Sequence, residues 1–439
     1  MTARKHLKQL VRSRMQKTGE SYASARRSVV REDTTRESDP ATRWHFPGNV
    51  PGTTALRILL ANAGIRDPRT GEPFGEAMLF GIAGGIGIGV FSFYYEKEDF
   101  ASFFVAGRHL WQDDQGYLES ALSRFGIKPA IYESTGAGVA AKQLSEAIGK
   151  YGPCVAWVDL AHLPHRAMPE MWSGGGYHIV VVHSVDEPAK TSMIGDLTDD
   201  PIPIPLADLA KARERIKKQK NRILAVTPSD GQPDLPALIK SGLKVSHEAL
   251  ASPSGKWARG NFQLDVIKTW ADRIHGSSGK ESWDHAFKSG HNLWFALSSI
   301  NTFIEHYGTG GGLSRPIFAD FLREVAETEP RLKELAERYD ELGLQWTDLA
   351  DSALPDDVPL LKETKDINAR KSELTMSGGD PEEIRAIWSR LSELQKQAGE
   401  NFPLSPSDSA ALRADLKAKI LAIHAGEVRA LEALGSVLH

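Results

Sequence analysis

The chain has 439 residues, 41% of them hydrophobic and 25% charged, which is ordinary globular composition with length for two or three domains. A net charge of −4 excludes nucleic-acid binding through overall charge, and a single cysteine, Cys154, excludes intrachain disulfides and cysteine-based metal clusters. The basic start is followed by no apolar signal core, and the longest apolar run, 78–93, is glycine-rich and short for a bilayer, so a reducing, cytoplasmic setting is expected.

Residues 1–38 read as a separate basic appendage with its linker. Nine Lys or Arg stand between Met1 and Arg31 against one acid, Glu20. Leu7, Leu10, Val11 and Met15 recur at helical spacing, as do Tyr22, Ala25 and Val29, with Gly19 between the two runs. A helical hairpin is expected, then a polar linker over 32–40, and a role in partner binding rather than in the core.

Residues 41–230 alternate helix and strand signals. Helices are expected over 55–63, 76–80, 114–125, 139–151 and 206–220, the last with a basic polar face. β-branched runs bounded by Gly, Pro or Asp predict strands over 91–95, 154–160, 179–186 and 192–196. From 240 to 439 the pattern is helical, with periodic segments at 263–274, 288–307, 317–339, 381–398 and 407–434, and Gly435 just past the last. No repeat of solenoid length occurs.

The glycine clusters at 81–89 and 308–312 lack dinucleotide-fingerprint spacing, and no Gly-Lys pair is followed by Ser or Thr, so no phosphate-binding loop is expected. Close backbone approaches and tight turns account for both clusters. His162 and His165 flank a Leu-Pro pair in what reads as a loop, and no His-Glu-x-x-His spacing exists. No metal and no cofactor is expected.

The segment Ser173-Gly174-Gly175-Gly176-Tyr177-His178, running into a Val-rich strand, carries the most chemistry. A histidine at the head of a buried strand, behind small residues that leave its ring open, suits a general base. Eighteen residues on, Asp196 ends the next expected strand. Adjacent strands would bring this carboxylate beside His178, where it fixes the tautomer and stabilises the imidazolium. A lone strand-end histidine is also a common structural residue, and both readings stand at this point.

These pieces resemble the butirosin biosynthesis H family, itself similar to papain-like and bacteriocin-processing cysteine peptidases. The matching stretches are Thr54-Ala55-Leu56-Arg57-Ile58-Leu59-Leu60 with Gly64, Glu76-Ala77-Met78-Leu79-Phe80-Gly81, His178 with its strand, Asp196, and 206–213. The later run from Gly308 through Arg315-Pro316-Ile317 to Leu322 is similar to the helical domain often attached to that family. The resemblance covers roughly 41–439 and implies an α+β fold: a papain-like (cysteine-peptidase-like) domain, then a mostly helical one. It implies acyl or aminoacyl transfer from a carrier-protein thioester to a small amine or hydroxyl acceptor in secondary metabolism.

One departure matters. In that family a cysteine precedes the Ala-Leu-Arg helix, whose N-terminus lowers the thiol pKa while backbone amides form an oxyanion hole. Here those positions are Pro51, Gly52 and Thr53, and Cys154 falls on an expected buried strand as a packed core residue. Thr53 and Thr54 read as nucleophiles or, as hydroxyls at helix starts commonly are, as N-caps. Two mechanisms survive. In one, His178 deprotonates the acceptor, which attacks a bound thioester directly, with Gly52, Thr53 and Thr54 at the helix N-terminus stabilising the oxyanion. In the other, the fold binds a ligand or a partner protein and catalyses nothing. The basic run from Lys211 to Arg222 reads as a docking face for an acidic acyl carrier protein, a nucleic-acid contact or a plain solvated helix face. The expected partners are an acyl carrier protein and a small-molecule acceptor, with a homodimer allowed and neither membrane nor nucleic acid expected.

Overall fold

A computed structural model describes residues 3–20, 22–32, 44–108, 113–229, 231–252, 261–327 and 329–438. The expected linker lies outside these residues from position 33 onward. The chain packs as two compact units, each discontinuous in sequence: 1–79 with 113–238 and 373–388, and 80–112 with 239–372 and 389–439. These units run across the consecutive blocks 1–38, 41–230 and 240–439. A β-hairpin from the 41–230 block packs in the second unit, and the stretch 373–388 of the helical block belongs with the first. Among the described residues no helix is long and apolar enough to cross a membrane.

The first unit is α+β. Helices α1 (Ala3–Thr18) and α2 (Tyr22–Glu32) form the expected hairpin, and Leu7, Val11, Tyr22, Ala25 and Val29 pack with Met376. The hairpin is not detached. Arg26 is fully buried, and its guanidinium donates to Asp199 at 2.8 Å and to the carbonyls of Gly48 and Leu197. Withdrawing that cation would strand a buried carboxylate, so the appendage is built into the unit.

Helix α3 (Pro51–Asn62) follows, with Pro51 at its first position, where a missing N–H is harmless. Then come α4 (Glu76–Ile82), α5 (Asp114–Arg124) and α6 (Ala137–Tyr151). The strands β3 (Ala130–Tyr132), β4 (Cys154–Asp159), β5 (Tyr177–Asp186), β6 (Thr191–Gly195), β7 (Ile202–Pro205) and β8 (Ile223–Ala225) make one antiparallel sheet. Its order is β3-β8-β4-β5-β6-β7. Period-two alternation puts Cys154, Ala156 and Val158 of β4 and Val180 and Val182 of β5 on one face. They pack there with Leu144 and Ile148 of α6 and with Leu209 and Ala212 of α7 (Leu206–Arg215). The expected helix over 206–220 stops early because Ile216 turns out of helical geometry (φ −93, ψ 87) and is buried.

The second unit is mostly helical. Its two strands, β1 (Ile86–Tyr95) and β2 (Phe100–Arg108), pair antiparallel. Strand β1 begins inside the glycine cluster, since a Cβ on Gly89 would meet the Phe262 ring at 2.9 Å. The segment expected over 317–339 is two helices, α12 (Arg315–Val325) and α13 (Arg331–Ala353), parted before Pro330. The last helix, Pro406–Leu438, runs through Gly435. On it, the buried Glu427 accepts from Arg315 at 2.7 Å and from the Trp346 indole at 2.9 Å, which ties three helices together.

Candidate functional site

The site is assembled at one end of the sheet. Strands β5 and β6 are neighbours with Val181 opposite Gly195, which places Asp196 one residue past β6 and level with the start of β5. His178 Nε2 donates to Asp196 Oδ1 at 2.9 Å. His178 is 7% exposed, and its Nδ1 makes no hydrogen bond among the described residues. One ring nitrogen is thus held by a carboxylate and the other keeps its lone pair.

Two further residues converge on the same carboxylate. His165 Nε2 donates to Asp196 Oδ2 at 3.0 Å, and Arg166 Nε donates to it at 2.9 Å. Both side chains come from the short 3-10 turn Pro164–Arg166, closed by Ala167 in the left-handed region (φ 45). Arg166 Nη2 also lies 3.5 Å from His178 Nε2. Burial, the largest influence on Asp196, pushes its pKa up. Arg166 and the two histidines outweigh it and hold the carboxyl well below the usual carboxylate range. Burial likewise lowers His165, against the opposing pull of Asp196. Among the described residues no group of three or more His, Cys, Asp or Glu is arranged to hold a metal ion, and the edge of Asp196 is taken by a guanidinium.

The helix start is arranged differently from expectation. Thr53 and Thr54 are not N-caps, because α3 begins at Pro51 and Val50 holds the cap position without a side-chain bond. The Thr53 hydroxyl pairs with the Tyr117 hydroxyl at 2.9 Å, and the Thr54 hydroxyl donates to Glu76 at 3.3 Å. Glu76 Oε1 also accepts from the amides of Asn49 and Val50, and Oε2 accepts from the Asn49 side chain. A carboxylate of the chain itself therefore sits at the positive end of α3. Gly52, Thr53 and Thr54 are buried, and the void between α3 and the sheet, lined by Pro51, Thr54, Ala55 and Asp196 among others, measures about 10 Å³. That is room for about one water. His178 is not among its walls. By the pleat of β5 its side chain shares a face with Val180 and Val182, while Ile179, Val180 and Val181 all contribute to the lining of this void. The structure does not bring Gly52, Thr53 and Thr54 into hydrogen-bond contact with His178 among the described residues.

Cys154 is fully buried on β4, with its Sγ 3.4 Å from the Gly152 carbonyl, so it lies in the core as expected. The basic run is partly consumed by local partners: Arg213 is buried on the carbonyls of Ala140 and Asn221, and Arg222 pairs with Glu133. The sequence pattern does not single out His165 and Arg166. The His-Leu-Pro-His spacing marks a loop, and only the tight turn at Pro164 aims both side chains at Asp196.

No curated protein matches the chain. Residues 51–196 match the family Butirosin biosynthesis protein H, N-terminal, and residues 207–374 match Domain of unknown function (DUF4872). The first match runs from the start of α3 to Asp196, so it contains His165, Arg166, His178 and Asp196. Together the two matches fit a butirosin H-like family with a second domain following the first.

Proposed function

We propose that this protein works in secondary metabolism of the butirosin type, moving an acyl or aminoacyl group from a carrier-protein thioester to a small amine or hydroxyl acceptor. In this reading the first unit is papain-like in plan and the setting is cytoplasmic. The observation that carries it is the hydrogen bond from His178 Nε2 to Asp196, which leaves Nδ1 to take the acceptor's proton. Asp196 holds the tautomer and offsets the charge that His178 gains. Arg166, beside the ring, is the cation nearest to a developing oxyanion, in place of the start of α3. A second reading, a binding scaffold that catalyses nothing, is favoured by one observation: Glu76 occupies the end of α3 where the family nucleophile would stand.

The test is turnover with an acylated carrier protein and a panel of amine acceptors. His178→Ala is expected to lower the rate by about 10²–10⁴-fold, the scale of general-base removal. Unchanged turnover in that variant would remove His178 as the base, and no turnover in the native protein with any donor would leave the scaffold reading in its place.

A further inference from the structure

The loop 160–176 of the first unit carries a second polar constellation, which shares no hydrogen bond with His178, Arg166 or Asp196 among the described residues. Its base is pinched. Leu160 N donates to the Gly176 carbonyl at 2.8 Å, and the buried Asp159 carboxylate accepts from Ala161 N at 3.2 Å and from Gly174 N at 2.5 Å. Gly176 permits this closure, since a Cβ there would stand 2.7 Å from Asp159 Oδ1.

The two amides bound by Asp159 adjoin His162 and Ser173. One carboxylate thus sets both residues face to face, with His162 Nε2 2.9 Å from Ser173 Oγ. Arg215 of α7 donates Nε to the same Oγ at 2.7 Å and Nη2 to the Ser173 carbonyl at 3.2 Å. Oγ accepts from Arg215, and in the tautomer with the lone pair on Nε2 His162 accepts the Ser173 proton, the arrangement the proposal uses. A hydroxyl with a base in reach and a cation against its oxygen has the arrangement of an activated nucleophile. Beside it stand Met171, 83% exposed, and the exposed rings of Trp172 and Tyr177. Lys218 Nζ lies 4.2 Å from the centre of the Tyr177 ring. These residues leave apolar side chains exposed close in sequence to Ser173, of a kind that suits the chain of an acyl group.

We propose that Ser173 is a nucleophile that accepts an acyl group from an activated ester or thioester, with His162 as its base. The proposal rests on the acyl-transfer reading above and supplies a nucleophile that the Pro51 position lacks. Ser173 Oγ attacks the carbonyl carbon, and the new O–C bond forms as the hydroxyl proton passes to His162 Nε2. The bond from carbonyl to the leaving oxygen or sulfur then breaks, and His162 returns the proton to the departing alcohol or thiol. An acyl-serine and a free alcohol or thiol are the products. Asp159 is a positioning residue that holds the two partners in register.

The experiment treats the full chain with 4-nitrophenyl acetate and reads 4-nitrophenol release together with peptide mass mapping. One acetyl group on Ser173 is expected, formed in a burst that Ser173→Ala abolishes and His162→Ala slows by about 10²–10⁴-fold. The adduct is mapped on the unsubstituted protein, so the outcome does not depend on how a variant folds. Acetyl groups confined to lysines, or equal bursts from the native protein and Ser173→Ala, would overturn the proposal. The two readings fail separately. Carrier-dependent turnover with an unlabelled Ser173 removes the acyl-serine and leaves acyl transfer, whereas an acetylated Ser173 without carrier-dependent turnover does the reverse.

Discussion

At the start of α3 the chain supplies a carboxylate to free backbone amides, and at the end of β6 it supplies two histidines and an arginine to a carboxylate. The two corners belong to the same unit and both flank the sheet, yet they keep different capacities. Glu76 satisfies the helix start internally and the space beside it holds about one water's volume, ≈ 10 Å³, so little is left for a substrate. Around Asp196 the charge is also paired, but the histidine that it orients keeps a second nitrogen with no partner among the described residues. A helix N-terminus is an anion site only while no anion of the protein itself is there. The reactive capacity of a corner depends on which groups are left over after internal pairing.

Removing each carboxylate in turn is the severest test of that contrast. Asp196→Ala strands Arg166 and His165 in a buried setting and should lower unfolding free energy by about 3–5 kcal/mol, the scale for breaking a buried ion pair. Glu76→Ala removes a capping partner and should cost about 0.5–2 kcal/mol. Urea unfolding of the two variants decides the matter, and equal losses would break the comparison.

Acid should act on the Asp196 corner in two stages. A carboxyl held low in the folded state adds stability above its unfolded value of about 4 and loses it as pH falls through the folded value. His165, and outside that corner His45, whose Nε2 donates to the Thr198 carbonyl at 3.0 Å, are lowered chiefly by burial, so their neutral forms add stability above about pH 6.5 that is lost as pH falls below it. Urea unfolding across pH should therefore show a decline that begins near pH ~6.5, before the carboxylates titrate. A flat profile between about pH 7 and 5 would show that these two rings do not carry the effect.

The smallest effect sharpens the other side. Pro51→Cys puts a thiol at the first of the positions before the Ala-Leu-Arg helix, but Glu76, bound to the neighbouring Val50 amide, disfavours the thiolate. Alkylation of that thiol by iodoacetamide should be slow and should speed up by about tenfold when Glu76→Gln is added, the effect of roughly one pKa unit. Equal rates in the single and double variants would show that Glu76 does not control this helix end.

Much of the first unit is legible in the sequence. The strands expected over 154–160, 179–186 and 192–196 are β4, β5 and β6 within two residues, because β-branched runs between Gly, Pro and Asp leave few alternatives. The pairing of His178 with Asp196 follows from the short turn between two such strands, since antiparallel neighbours must bring those ends level. Strands β3 and β8 escape the pattern because each has three residues, too few for a period to register. Arg26 reads as one of nine exposed cations, and nothing local distinguishes it from Arg27.

Composition, spacing and the single cysteine determined by themselves that no nucleophilic thiol stands before α3 and that His178 and Asp196 fall at adjoining ends of neighbouring strands. These are properties of residue identity and of period, which local sequence carries. Only the tertiary structure decided that Glu76 fills the start of α3, that Arg166 shares Asp196, and that His162 meets Ser173. Each of those contacts joins residues more than ten positions apart through side chains whose direction is set by a turn or a pleat. A linear pattern holds the ingredients of such contacts, and the direction in which each side chain points exists only once the backbone has closed around it.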